Sequence, residues 1–247
     1  MPQEDKITVY WLAHSRAQRI LWLLEELGLE YNLHMEDRVQ MVRAPASYKK
    51  YHPLGKTPVV HIEKPDGTVK KLAESGFIVQ YLIDHYDTKG KFKPATEDDK
   101  DLIDYFNHYS EGTIQPMLVG LLVNEVAGKS VPFPLSVLVK TVTGKINQGY
   151  YQPEAEKNIS FLNDFLKAQY AKGRKWFVGE KLSAADIMLS FPIQSAITSD
   201  RGITLKPVKE SYPEMYEYFQ FITSQPAWIT AAEKVKGYDH VVINGKL

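Results

Sequence analysis

The 247-residue sequence contains no cysteine. That excludes disulfides, cysteine-ligated zinc and any chemistry resting on a protein thiol, so a sulfur nucleophile has to arrive with a ligand. An excess of one charge is also missing, because 30 Lys and Arg face 30 Asp and Glu. A balanced chain lacks the electrostatic footprint of a nucleic-acid binder, and no nucleic-acid partner is expected. No run approaches the roughly 18 apolar residues of a membrane-spanning helix. The apolar stretch Ile114–Val126 is interrupted by Gln115, Pro116, Asn124 and Glu125, and is expected as a buried helix. The opening Met-Pro-Gln-Glu-Asp-Lys has no basic segment followed by an apolar one, so no signal peptide is expected. Gly245-Lys246-Leu247 only loosely resembles a peroxisomal address. His34, His61, His85, His108 and His240 show no metal-ligand spacing, and residues 173–179 lack the ending of a phosphate loop.

What remains is ordinary globular material, 44% hydrophobic and 24% charged, with 15 Tyr and four Trp. The length suits one large or two modest domains. Ile7–Trp11 reads as a buried strand, and Ser15 opens a periodic segment with Ile20, Leu23, Leu24 and Leu27 on one face and Gly28 at its C-cap. Glu30–Leu33 can form a second strand. Val59–Ile62 and Val69–Leu72 flank Pro65-Asp66-Gly67, a hairpin signal, and a helix through Ile78, Tyr81, Leu82 and His85 follows. The order β-α-β, then β-β-α, predicts an α/β thioredoxin-like domain over residues 1–87. A polar linker, 88–95, leads to an all-α helical bundle over 96–247. There Thr96 with Asp99, and Ser183 with Asp186, are paired as helix starts. Ala155–Tyr170 is a further periodic helix, and Ile187–Ile197 is apolar all round and belongs at the bundle centre. Ser211, Pro213 and Glu214 open another helix.

Three short constellations carry chemistry. In Trp11-Leu12-Ala13-His14-Ser15-Arg16 a hydroxyl stands at a helix N-terminus, where unpaired amides and the macrodipole favour negative charge. A thiol titrating near 8.5 is only a few per cent ionised at neutral pH. Lowering it by about two units takes roughly 2.7 kcal/mol, within reach of a hydroxyl hydrogen bond and a helix end. Arg16 adds positive charge. Ser15 and Gln18 equally fit a plain S-x-x-Q capping box. In His52-Pro53-Leu54-Gly55-Lys56-Thr57-Pro58, a proline stands at the head of a strand; were its bond cis, the Thr57 backbone would face outward to pair with an extended peptide. The alternative is an ordinary loop. In Ala73-Glu74-Ser75-Gly76, a carboxylate and a hydroxyl at a helix start suit the ammonium and carboxylate of an amino acid, or simply cap the helix.

Taken in order, Ser15, Gly55-Lys56-Thr57-Pro58, Glu74-Ser75, Leu182-Ser183-Ala184-Ala185-Asp186 and Gln225-Pro226-Ala227-Trp228 resemble the glutathione transferase superfamily over nearly the whole chain. His14-Ser15-Arg16-Ala17 is most similar to the fungal serine-type members of the baker's-yeast kind. The resemblance implies that Ser15 holds the glutathione thiolate and that Thr57, ahead of cis Pro58, pairs with the cysteinyl unit. It implies that Glu74 and Ser75 bind the γ-glutamyl head, and His52 or Lys56 the glycyl carboxylate. It further implies glutathione as co-substrate without another cofactor, small hydrophobic electrophiles or hydroperoxides as the second substrate, a homodimer, and a cytoplasmic enzyme, with association at a membrane surface left open. The cysteine-dependent branches of the family are excluded, since position 15 is Ser. The electrophile pocket is expected between the domains, at His14, Arg16, Phe106, Tyr109, Thr113 and Met117, with Val131–Leu138 at its rim. A carrier or regulatory protein of the same fold is the rival reading.

Overall fold

The first apolar run forms β1 (Lys6–Leu12), in which Ile7, Val9 and Trp11 are buried on one face. The pattern follows from the two-residue period of a strand. Residues 4–36, 38–39, 43–198 and 207–237 are described by the structure, a computed structural model. His240 and Gly245-Lys246-Leu247 lie outside the described residues.

β1 leads through a turn into α1 (Gln18–Leu27), which ends on Gly28 at φ 66°, the left-handed cap anticipated there. β2 (Tyr31–Glu36) returns parallel to β1. β3 (Val59–Glu63) and β4 (Val69–Ala73) form the antiparallel hairpin, closed where the Asp66 carboxylate accepts the Thr68 amide at 2.9 Å. The mixed four-stranded sheet has the order β2-β1-β3-β4, and α2 (Ser75–Tyr86) follows β4. One face of the sheet packs into the main core. The other carries Leu12 and Val59 against Tyr48 and Tyr51, brought up by the short 3-10 turn Ala46–Lys50. This is a thioredoxin-like half.

The connecting segment is pinned rather than loose. The Asp87 carboxylate accepts the amides of Lys91 and Phe92, at 2.8 and 2.7 Å, and Phe92 is buried. The second half is helical among the described residues. α3 (Glu97–Tyr109) is capped as expected, with the Asp99 amide donating to Thr96 Oγ1 at 3.0 Å. A wide π turn, Ser110–Ile114, joins it to α4 (Gln115–Lys129). α5 (Leu135–Ile146) and α6 (Gln152–Tyr170) run back alongside. α7 (Ala184–Thr198) takes the central place its all-round apolarity predicts, with ten buried residues. The short α8 (Val208–Ser211), then α9 (Pro213–Thr223) and α10 (Pro226–Lys234), complete the bundle.

Two expectations need correcting, for α1 and for α4. α1 is buried on more than one face: Leu21 and Trp22 are sealed as well, because α10 covers the opposite side and Trp22 meets Trp228 edge-on at 5.1 Å. α4 is not buried all round, since Val119 and Val123 remain exposed. α5 buries none of its residues, and Phe133 just before it is 82% exposed. No helix among the described residues is long and apolar enough to cross a membrane.

Candidate functional site

Between the two halves opens a cleft of about 550 Å³. One wall is built by the β1–α1 turn with His14, Ser15 and Arg16, by Arg43 to Ala46 with Lys49, and by Leu54 to Thr57. The other is Gln115, Val119, Leu122 and Val123 of α4 with Phe191 of α7. The first wall is cationic: Arg16, Arg38, Arg43, Lys49 and Lys56 border the cleft and, among the described residues, no Asp or Glu does. The second is largely apolar. An anionic peptide attached to a hydrophobic group matches that division.

Ser15 is almost fully buried yet reaches the cleft. Its Oγ accepts the Ala17 amide at 3.2 Å, and no acceptor for its own proton is found among the described residues. The S-x-x-Q capping box is not formed. α1 begins only at Gln18, whose side-chain oxygen and nitrogen are both buried without partners. The hydroxyl therefore folds back on its own turn and keeps its donor available. Among the described residues, the non-glycines at positive φ are His14 (φ 53°) and Glu74 (φ 71°), each immediately before a serine at a helix start. Such conformations cost of order 1–3 kcal/mol and concentrate at functional sites.

The turn is held from three sides. Arg38 donates to the carbonyls of Ala13 and His14, at 2.7 and 3.0 Å. Arg19, with a side chain fully buried, donates to Glu111 Oε1 at 2.7 Å, and Arg16 donates to Glu111 Oε2. Glu111 sits on the π turn, so one carboxylate of the helical half clasps the two arginines that follow Ser15, one on either side of Ala17. Burial pulls the Arg19 guanidinium down to about 10, against the pull of Glu111. Burial would raise the Glu111 carboxyl, but the Arg19 and Arg16 charges outweigh it and hold it below its ordinary value. Two cations and one anion leave a net positive charge under the turn.

Thr57 borders the cleft, its Oγ1 donating to the Tyr10 carbonyl at 3.1 Å, and the Thr57-Pro58 bond is cis. Pro58 is buried. Val59 pairs with Ala73, and one step further in that register sets Pro58 beside Glu74. Ser75 is buried in the first turn of α2. Lys56 borders the cleft, whereas half-buried His52 accepts the Leu54 amide on Nδ1 at 3.4 Å and does not line it. The expected electrophile face is displaced. Phe106 packs among Phe165 and Phe177, and the Tyr109 hydroxyl donates to Asn158 at 2.6 Å, both inside the helical half. Thr113 is exposed away from the cleft and Met117 packs on the core. Nor does any residue of 131–138 border it. The lining face is the one through Gln115, Val119 and Val123, two residues or about 200° around the helix from Thr113 and Met117. Arg19, Arg38, Glu111 and Gln115 escaped the sequence reading. The four-residue spacing of Glu111, Gln115, Val119 and Val123 was the available signal.

Comparison with known proteins agrees with this fold. The glutathione S-transferase N-terminal domain model matches residues 6–84, and the C-terminal domain model residues 136–226. Glutathione S-transferase 1 of Saccharomyces cerevisiae is 37% identical over 232 residues, covering 93% of this chain and 95% of that one. Glutathione S-transferase 3 of Schizosaccharomyces pombe is 31% identical, covering 93% and 88%. A crystal structure of a glutathione S-transferase from Actinobacillus pleuropneumoniae is 32% identical, with a TM-score of 0.65 over 94% of this chain and 93% of that one. The chain belongs to the glutathione S-transferase family.

Proposed function

We propose that this glutathione transferase binds glutathione along the cationic wall of the cleft and activates its thiol with the Ser15 hydroxyl. The observation that carries the reading is the uncommitted Ser15 proton, at a strained turn ahead of α1 and above a net positive charge. The hydroxyl donates to the sulfur, and the helix end and the buried Arg19 favour its negative form. Thr57 pairs its backbone with the cysteinyl unit, and Glu74 and Ser75 take the γ-glutamyl ammonium and carboxylate. Lys56 takes the glycyl carboxylate in preference to His52, which spends Nδ1 on Leu54. The thiolate then attacks a hydrophobic electrophile lying on Val119, Leu122, Val123 and Phe191, or a hydroperoxide.

The same reading divides the chain at 88–95 into a glutathione-binding domain and a helical domain. It has the enzyme detoxify electrophiles as a cytoplasmic homodimer, with glutathione as co-substrate and no other cofactor; light scattering and fractionation test those two assignments. The decisive experiment is the ultraviolet absorbance of the bound thiolate across pH, in wild type and Ser15→Ala. An apparent thiol pKa about two units higher in the variant is expected. Equal values would remove Ser15 from its role.

A further inference from the structure

The strip from Leu54 to Thr57 borders the cleft with little packing of its own. Leu54 is 64% exposed, and the turn closes on the Gly55 amide donating to the His52 carbonyl at 2.8 Å. Both ends of the strip are tied to one residue. At one end the Thr57 hydroxyl donates to the Tyr10 carbonyl at 3.1 Å. At the other the Tyr51 ring stacks on the Tyr10 ring, with centroids 3.7 Å apart. Tyr10 is a firm anchor, because it lies in β1 between His34 of β2 and Val59 of β3.

Tyr51 is held at its polar groups as well. Its carbonyl accepts the His61 Nε2 proton at 3.1 Å, and its hydroxyl oxygen lies 2.9 Å from His34 Nε2. The same nitrogen is 2.9 Å from Glu36 Oε1, and the Ser47 hydroxyl donates to Glu36 Oε2 at 2.8 Å. A carboxylate only accepts, so His34 Nε2 carries a proton that the Glu36 and Tyr51 oxygens share. The contacts from Tyr51 through His34 and Glu36 to Ser47 close on the turn Ala46–Lys50, whose next residue is Tyr51. These side chains stand behind the strip and do not line the cleft. Filling that face of the sheet would need only an apolar ring.

From the double tether of the strip to Tyr10 we infer that Tyr51 is a positioning residue for glutathione. Acting through Tyr10 and His34, it holds residues 54–57 where Lys56 and the Thr57 backbone meet the peptide. This rests on the glutathione reading above. A strip already fixed loses little freedom when the peptide binds. A loosened one must be ordered by the ligand, and affinity falls with the population of the competent form. The thiol chemistry is untouched, since Arg38 and the Glu111 clasp hold the Ser15 turn separately.

The test measures KM for glutathione and kcat, with 1-chloro-2,4-dinitrobenzene as electrophile. Tyr51→Phe keeps the stack and removes the hydroxyl, and KM is expected to rise about fivefold, the size of one lost hydrogen bond. Tyr51→Leu removes the stack too, and a rise of about thirtyfold is expected. In both, kcat at saturating glutathione stays within about twofold, and the absorbance titration of bound glutathione matches wild type. His34→Leu should raise KM about as much as Tyr51→Phe, and the double variant no more than either, because both delete one contact. A tyrosine that only stabilises the fold would lower the melting temperature and leave KM of the folded enzyme in place. KM within about twofold of wild type in Tyr51→Leu therefore overturns the inference, whatever the melting curve shows. Should Tyr51→Leu fail to fold, Tyr51→Phe and His34→Leu decide: an unchanged KM, or increases that multiply in the double variant, overturns it equally. Wild type with no saturable dependence on glutathione would overturn the glutathione reading as well. A saturable wild type whose KM the variants leave unmoved would sink the Tyr51 assignment alone.

Discussion

Ser15-x-x-Gln18 and Ser183-x-x-Asp186 look alike on paper, each a serine and a polar partner three residues apart at a helix start. In the second, Asp186 Oδ2 accepts both the amide and the hydroxyl of Ser183, at 2.8 and 2.7 Å. Its Oδ1 accepts the Phe177 amide and the Tyr218 hydroxyl, at 2.8 and 2.7 Å. Every lone pair is engaged, and the group is wholly buried. In the first, the box stays open: Gln18 has no partner and the Ser15 proton is uncommitted. A closed cap spends its hydrogen bonds on stability. An open one keeps them for a ligand.

The contrast breaks hardest at Asp186. Replacing it with Ala strands four donors in the core, and chemical denaturation should show a loss of about 3–5 kcal/mol. Ser15→Ala should do the reverse, lowering kcat/KM at neutral pH about a hundredfold while moving stability by less than about 1 kcal/mol. Steady-state kinetics beside a melting curve separates the two.

Glu111 links the contrast to pH. Its carboxyl titrates lower folded than unfolded, so its contribution is complete above the ordinary carboxylate range and fades as pH falls through the folded value. Glu111→Gln should be less stable at pH 7 and lose less on acidification, read as a shallower fall of the urea midpoint between about pH 6 and 3. The smallest effect belongs to Gln18. Because its buried amide makes no bonds, Gln18→Leu should leave the melting temperature level or slightly raised, whereas loss of a working cap costs about 1 kcal/mol.

Features set by a few neighbouring residues were legible beforehand. Thr96 caps α3 through Asp99, Gly28 ends α1, and Pro65-Asp66-Gly67 turns the hairpin, because each needs only the local backbone. The electrophile wall was not. Phe106, Tyr109, Thr113 and Met117 do share a helical face, but spacing cannot say whether a face meets the core or a cleft. A π turn precedes α4, and it is Gln115, Val119 and Val123 that line the cleft.

By itself the sequence determined the family, the thioredoxin-like and helical halves, and the exclusion of cysteine chemistry, since these follow from residue type, order and period. Only the tertiary structure decided that Ser15 caps nothing beyond its own turn, that Arg16 shares Glu111, 95 residues away, with Arg19, and that Gln115 borders the cleft. Hydrogen-bond partners and burial depend on which surfaces meet. For Ser15, that meant an apparent cap in sequence became an available donor once Gln18 was buried without a partner.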